Sequence, residues 1–153
     1  DAWRKKYQWD LFLPLSQDDE YNFKTLHLPI TGGQEEFDHL VLSLVKTIID
    51  SLNEKEIVKQ FKNSTDLKGG ISKLEYWFSE LNLSDYQQQI KFLRNLQELR
   101  STGTGHRKGK GYKKIAEVFG LDTDNYVDVF DRILLQANAF ILFLTTNFLP
   151  SDS

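Results

Sequence analysis

The chain has 153 residues, 40% of them hydrophobic and 27% charged, and a net charge of −3. That length supplies one domain with a real core, and that composition excludes global disorder. Overall acidity excludes a nucleic-acid coat protein, which is basic throughout, and the absence of cysteine excludes disulfides, thiolate zinc sites and cysteine nucleophiles.

The first residues, Asp-Ala-Trp-Arg-Lys-Lys, lack the apolar core of a signal peptide, and the expected compartment is the cytoplasm. Residues 7–15 are aromatic-rich and alternate loosely. Residues 22–28 alternate more clearly, with Phe23, Leu26 and Leu28 apolar. The acidic run Ser16–Glu20 lies between them and reads as a solvated turn, so the expectation over residues 1–33 is an extended arm or hairpin. Pro29 and Gly32-Gly33 then punctuate the chain.

Helical periodicity starts at Gln34. Phe37, Leu40, Val41, Leu44, Ile48 and Leu52 recur at three- and four-residue steps and predict one apolar face. Asn53 followed by Glu56 predicts the start of a second helix, with Ile57, Val58 and Phe61 on its apolar side. Gly69-Gly70 breaks the pattern. A third helix is expected over 71–81, with Leu74, Trp77, Phe78 and Leu81 inward. Ser84-x-x-Gln87 reads as a capping box opening a helix to about Arg100, buried through Ile90, Leu93, Leu96 and Leu99. A short helix from Tyr112 to Phe119 is expected to stop at Gly120. A long last helix, capped by Asp122 or Thr123, is expected to run to about Phe148. The apolar run Ile133–Leu149 is slightly short for a membrane span and holds Gln136, Asn138, Thr145, Thr146 and Asn147, so a buried helix is expected. The expected fold class is therefore all-α, a bundle of about five helices over 34–153 behind the N-terminal arm, together one domain. With no methionine even at position 1, the expectation is a C-terminal piece excised from a longer protein.

One segment stands apart. Between Arg94 and Lys114 there are seven Lys/Arg against the single acid Glu98, four glycines, and one of the three histidines. The rest of the chain carries 12 cations against 21 acids. Arg100 closes a helix, and His106 follows the turn Ser101-Thr-Gly-Thr-Gly105. Glycine gives such a turn the freedom to bring both side chains to one place. Arginine offers a permanently charged fork of donors for a phosphate, and histidine exchanges a proton near neutral pH. The pair suits cleavage of a phosphodiester without a metal: His106 moves the proton, and Arg100 stabilises charge on the phosphorus-bound oxygens. An Arg and a His five residues apart also arise by chance, and a solvated basic loop is the competing reading.

An Arg-x5-His motif near the last long helices resembles the HEPN superfamily. The stretch Leu99–Gly109, followed by Tyr112-Lys113-Lys114, is similar to a bacterial branch described as Apea-like or uncharacterised. Upstream, Trp9-x-x-Phe12-x-Pro14-Leu15, Leu28-Pro29, Glu36-Phe37-Asp38 and Lys46–Asn53 are similar too, so the resemblance covers most of the chain. It implies an α-helical bundle. It also implies a metal-independent ribonuclease of toxin–antitoxin, CRISPR or abortive-infection type, whose site is commonly completed at a homodimer interface. Carried onto this sequence, it makes Arg100 and His106 the catalytic pair. Ser101 stands as the supporting polar residue, where members often carry Asn or Asp. The resemblance also covers members that have lost catalysis and serve as scaffolds or antitoxin partners.

Around that pair, Arg107, Lys108, Lys110, Lys113 and Lys114 are expected to follow an RNA backbone. Tyr112 is expected either to stack on a base or to anchor the following helix. The glycines do not follow the P-loop order Gly-x4-Gly-Lys-[Ser/Thr]. Asp18, Asp19 and Glu20 lack the alternation of a calcium loop, and His27 and His39 are too far apart in sequence to claim as ligands. No metal and no cofactor are expected. Trp3, Trp9 and Trp77 are expected in the core or at an interface.

Overall fold

The computed structural model describes residues 1–24, 26–103 and 110–149. The fold is all-α. Its helices are α1 (Ala2–Tyr7), α2 (Gln17–Lys24), α3 (Gln34–Val45), α4 (Glu54–Lys59), α5 (Gly70–Glu80), α6 (Tyr86–Gly103), α7 (Lys110–Phe119) and α8 (Tyr126–Phe148), with a π-helical turn at Lys46–Asp50. There are thus eight α-helices among the described residues, where periodicity suggested about five. No helix of the described residues is long and apolar enough to cross a membrane.

The N-terminal region departs most from expectation. In place of an extended arm or hairpin it forms two short helices, and its extended pairing among the described residues is one isolated bridge between Phe12 and Leu52. The acidic run is a helix start: the Ser16 hydroxyl accepts from the Asp19 amide (3.2 Å), and Asp18, Asp19 and Glu20 fill the first turn of α2. Carboxylates there are favoured by the helix dipole, and that advantage overrides the weak alternation of three apolar residues. Asp19 also takes a bond from Lys46 (2.6 Å), tying α2 to the π turn.

One continuous core runs from Leu11 to Phe148. The face predicted for residues 34–52 is buried, and Val45 and Ile49 join it. The register changes at the π turn, where the Ser51 amide donates to the Lys46 carbonyl five residues back (3.1 Å). In α5, Leu74, Trp77 and Phe78 are buried, whereas Leu81, just past its end, is exposed. Asn53 caps α4 as predicted, accepting from the Glu56 amide, and its amide also donates to the Asp10 carbonyl (2.9 Å). The capping box at Ser84 does not form: α6 begins two residues later, after Asp85 at φ 62°. The cap of α8 is Asn125, which accepts from the Asp128 amide (3.0 Å), rather than Asp122 or Thr123. Gly120 ends α7 at φ 76°, a conformation that favours glycine.

Candidate functional site

Helix α6 forms because Ile90, Leu93, Leu96 and Leu99 recur on one face and all are buried. Arg100 follows Leu99 and therefore stands at the edge of that face, its side chain 27% exposed. Its Nη1 donates to Asp50 Oδ2 at 2.6 Å. Asp50 is the last residue of the π turn, fifty positions earlier in the chain. Ser101 is exposed, and its hydroxyl donates to the Glu98 carbonyl (3.1 Å), as does that of Thr102 (2.7 Å). The Ser101 hydroxyl proton is thus engaged by its own helix.

Gly103, the last residue of α6, is buried. A Cβ there would lie 3.5 Å from Asp38 Oδ1 and 3.7 Å from the Tyr112 ring. Both are ordinary contact distances; the start of α7 packs against the end of α6 here, and the Thr102 methyl lies 3.6 Å from where a Cβ of Gly111 would stand. His106, Arg107 and Lys108 belong to the connection 104–109, which lies outside the described residues, and so does the distance between Arg100 and His106.

Helix α7 separates its residues cleanly. Tyr112, Ile115, Ala116 and Phe119 are buried. Lys110, Lys113, Lys114, Glu117 and Val118 are exposed. Tyr112, with 9% of its surface exposed, takes the anchoring role and offers no open face for a base. No hydrogen bond or ion pair ties the side chain of Lys110, Lys113 or Lys114 among the described residues, and no acid lies in the first turn of α7. Lys110 and Lys113 thus stand in the first turn, at the positive end of the helix dipole, where cations are disfavoured.

A second feature escaped the sequence. A cavity of 660 Å³ opens between α2, the π turn and α8, lined by apolar side chains including Phe12, Leu13, Phe23, Leu44, Ile48 and Ile141. At its rim Lys24 pairs with Glu20 (2.6 Å). Arg100 does not line it. Nearby on α8, Leu135 and Leu142 are also exposed. The signal that could have pointed to this groove is the absence of any charged residue from Ile133 to Leu149. Among the described residues no group of three or more His, Asp or Glu is placed to hold a metal ion. Compared with family models, curated proteins and solved structures, the chain finds no match.

Proposed function

We propose that the protein is a HEPN-like, metal-independent endoribonuclease domain of a cytoplasmic bacterial defence or stress system, acting as a homodimer on RNA. The observation that supports this best is the cluster of untied lysines at the start of α7, beside the α6 turn that carries Arg100. The reaction is transesterification. The 2′-oxygen of a ribose forms a bond to phosphorus while the bond from phosphorus to the 5′-oxygen breaks. The 2′-hydroxyl gives up its proton and the leaving 5′-oxygen gains one, leaving a 2′,3′-cyclic phosphate and a 5′-hydroxyl. His106 is the proton-transfer group, and Arg100 binds the non-bridging oxygens as their charge grows. Arg107, Lys108, Lys110, Lys113 and Lys114 hold the backbone. Ser101 supports the pair as an exposed polar neighbour.

The test is cleavage of mixed RNA in EDTA. The wild type is expected to release cyclic-phosphate ends, and His106→Ala and Arg100→Ala to lose about 100-fold or more of that rate. Equal rates for wild type and His106→Ala would sink the reading.

The apolar groove favours a second reading, a non-catalytic helical interaction or sensor module within a larger protein. On that reading the EDTA assay shows no cleavage, and substitutions at the groove, rather than at Arg100, change partner or ligand binding.

A further inference from the structure

We infer that Asp50 is a positioning residue for Arg100, holding the guanidinium in the orientation that phosphodiester cleavage requires; this rests on the ribonuclease reading above. The Nη1–Oδ2 contact of 2.6 Å spans fifty residues and joins the π turn to the last turns of α6. Both side chains are partly solvated, 27% exposed for Arg100 and 39% for Asp50. Ion pairs of that exposure contribute little to stability, and ordering a long arginine costs rotamer freedom. A pre-set guanidinium is what a phosphate site gains from such a pair.

The platform under Asp50 supports the assignment. A π turn holds one residue more than an α-helical turn, and such turns are frequent at functional sites. Here the wider turn buries Ile48 and Ile49 in succession and leaves Asp50 at the surface to meet α6. Two hydroxyls bond it along its own helix, and one ion pair ties it to α2. The Thr47 hydroxyl donates to the Ser43 carbonyl (2.8 Å), the Ser51 hydroxyl to the Thr47 carbonyl (2.5 Å), and Lys46 to Asp19 (2.6 Å). Asp50 is therefore a carboxylate on a fixed base, and the guanidinium that reaches it inherits that fixity.

The experiment is steady-state cleavage of a short RNA in EDTA by wild type, Asp50→Ala, Asp50→Glu, Arg100→Ala and His106→Ala. Glu75→Ala serves as the matched control, because it removes the acid from Arg94, an ion-paired arginine on the same helix. Asp50→Ala is expected to lower kcat about 10- to 100-fold with KM within about threefold, the pattern of a misaligned rather than an absent group. Asp50→Glu should recover part of the loss, and Glu75→Ala should keep the wild-type kcat. Thermal melts of Asp50→Ala and Glu75→Ala should shift alike, separating alignment from folding. An Asp50→Ala enzyme as fast as wild type, beside inactive Arg100→Ala and His106→Ala, overturns the inference and leaves the ribonuclease reading standing. A faster Asp50→Ala enzyme also overturns it, by showing that the carboxylate competes with phosphate for Arg100. A wild type with no activity overturns the ribonuclease reading and this inference with it.

Discussion

Glu36 is the residue through which acid should act on the fold. Its carboxylate accepts from the Thr31 hydroxyl (2.6 Å) and from the amides of Ile30 (3.1 Å) and Thr31 (2.8 Å), holding the segment after Pro29 against the first turn of α3. The Thr31 hydroxyl, then those amides, draw its pKa below the ordinary glutamate value. A carboxylate whose folded pKa is depressed stabilises the fold above its unfolded pKa, about 4.3 for Glu, and loses that contribution as pH falls through the folded value. Asp19, bonded by Lys46 and Ser16, has the same sign. So does Glu80, where burial pushes upward but the amides of Lys62 and Asn63 and the side chains of Tyr76 and Asn63 outweigh it. Urea denaturation should therefore show Glu36→Gln less stable than wild type at neutral pH, with the gap closing below about pH 4. A gap that stays constant into acid would mean that the carboxylate's charge does not hold this turn.

At the scale of single elements, α7 carries the sharpest expectation about binding. Its buried face is complete with Tyr112, Ile115, Ala116 and Phe119, so Lys110, Lys113 and Lys114 add nothing to packing. Replacing each by alanine should leave the melting temperature unchanged, or slightly raised for Lys110 and Lys113, which stand in the first turn at the positive end of the helix. The same changes should weaken RNA binding. For single-stranded RNA each should also flatten the dependence of log affinity on log salt by about 0.7. A salt slope unchanged in the triple variant would place the RNA elsewhere. These lysines were legible in the sequence because charge clustering needs no fold to be seen. Helices α3, α5, α6 and α8 were legible because their apolar residues keep a three- and four-residue step. The π turn was not, since Ile48 and Ile49 are both apolar and the pattern through 37–52 fits an uninterrupted α-helix equally well. Helix α2 was hidden because it buries no residue, leaving its cap and its acids as the only signals. Arg100 could be picked out from its spacing to His106. Its partner Asp50 could not, because no local pattern links positions fifty apart. The groove was only partly legible for a similar reason: the uncharged run Ile133–Leu149 marks one wall, but its other side chains come from three separate segments.

Across the whole molecule, the first and last helices close on each other. Lys6 Nζ and Tyr7 Oη both donate to the Phe148 carbonyl at 2.8 Å, so α1 satisfies the end of α8. Trp3 packs at 4.9 Å from Tyr7, 5.5 Å from Trp9, 5.2 Å from Phe148 and 6.4 Å from Trp77, between ring centroids. Trp77 and Phe148 are buried core residues. A boundary near residue 33 is therefore not a seam in the packing, and α1 should melt with the rest. Trp3→Ala, which uncovers both core rings, is expected to cost about 2–3 kcal/mol in urea denaturation followed by near-UV circular dichroism. Trp3→Phe should cost much less, because the Nε1 donor of Trp3 is buried without a partner among the described residues and its removal breaks no hydrogen bond there. If Trp3→Ala instead unfolds at the wild-type midpoint, α1 is an appendage on the bundle. The aromatic contacts would then contribute nothing that water does not replace. If Trp3→Phe costs as much as Trp3→Ala, the indole nitrogen has a partner in solution, and the stability of this corner rests on a polar contact as well as on packed rings.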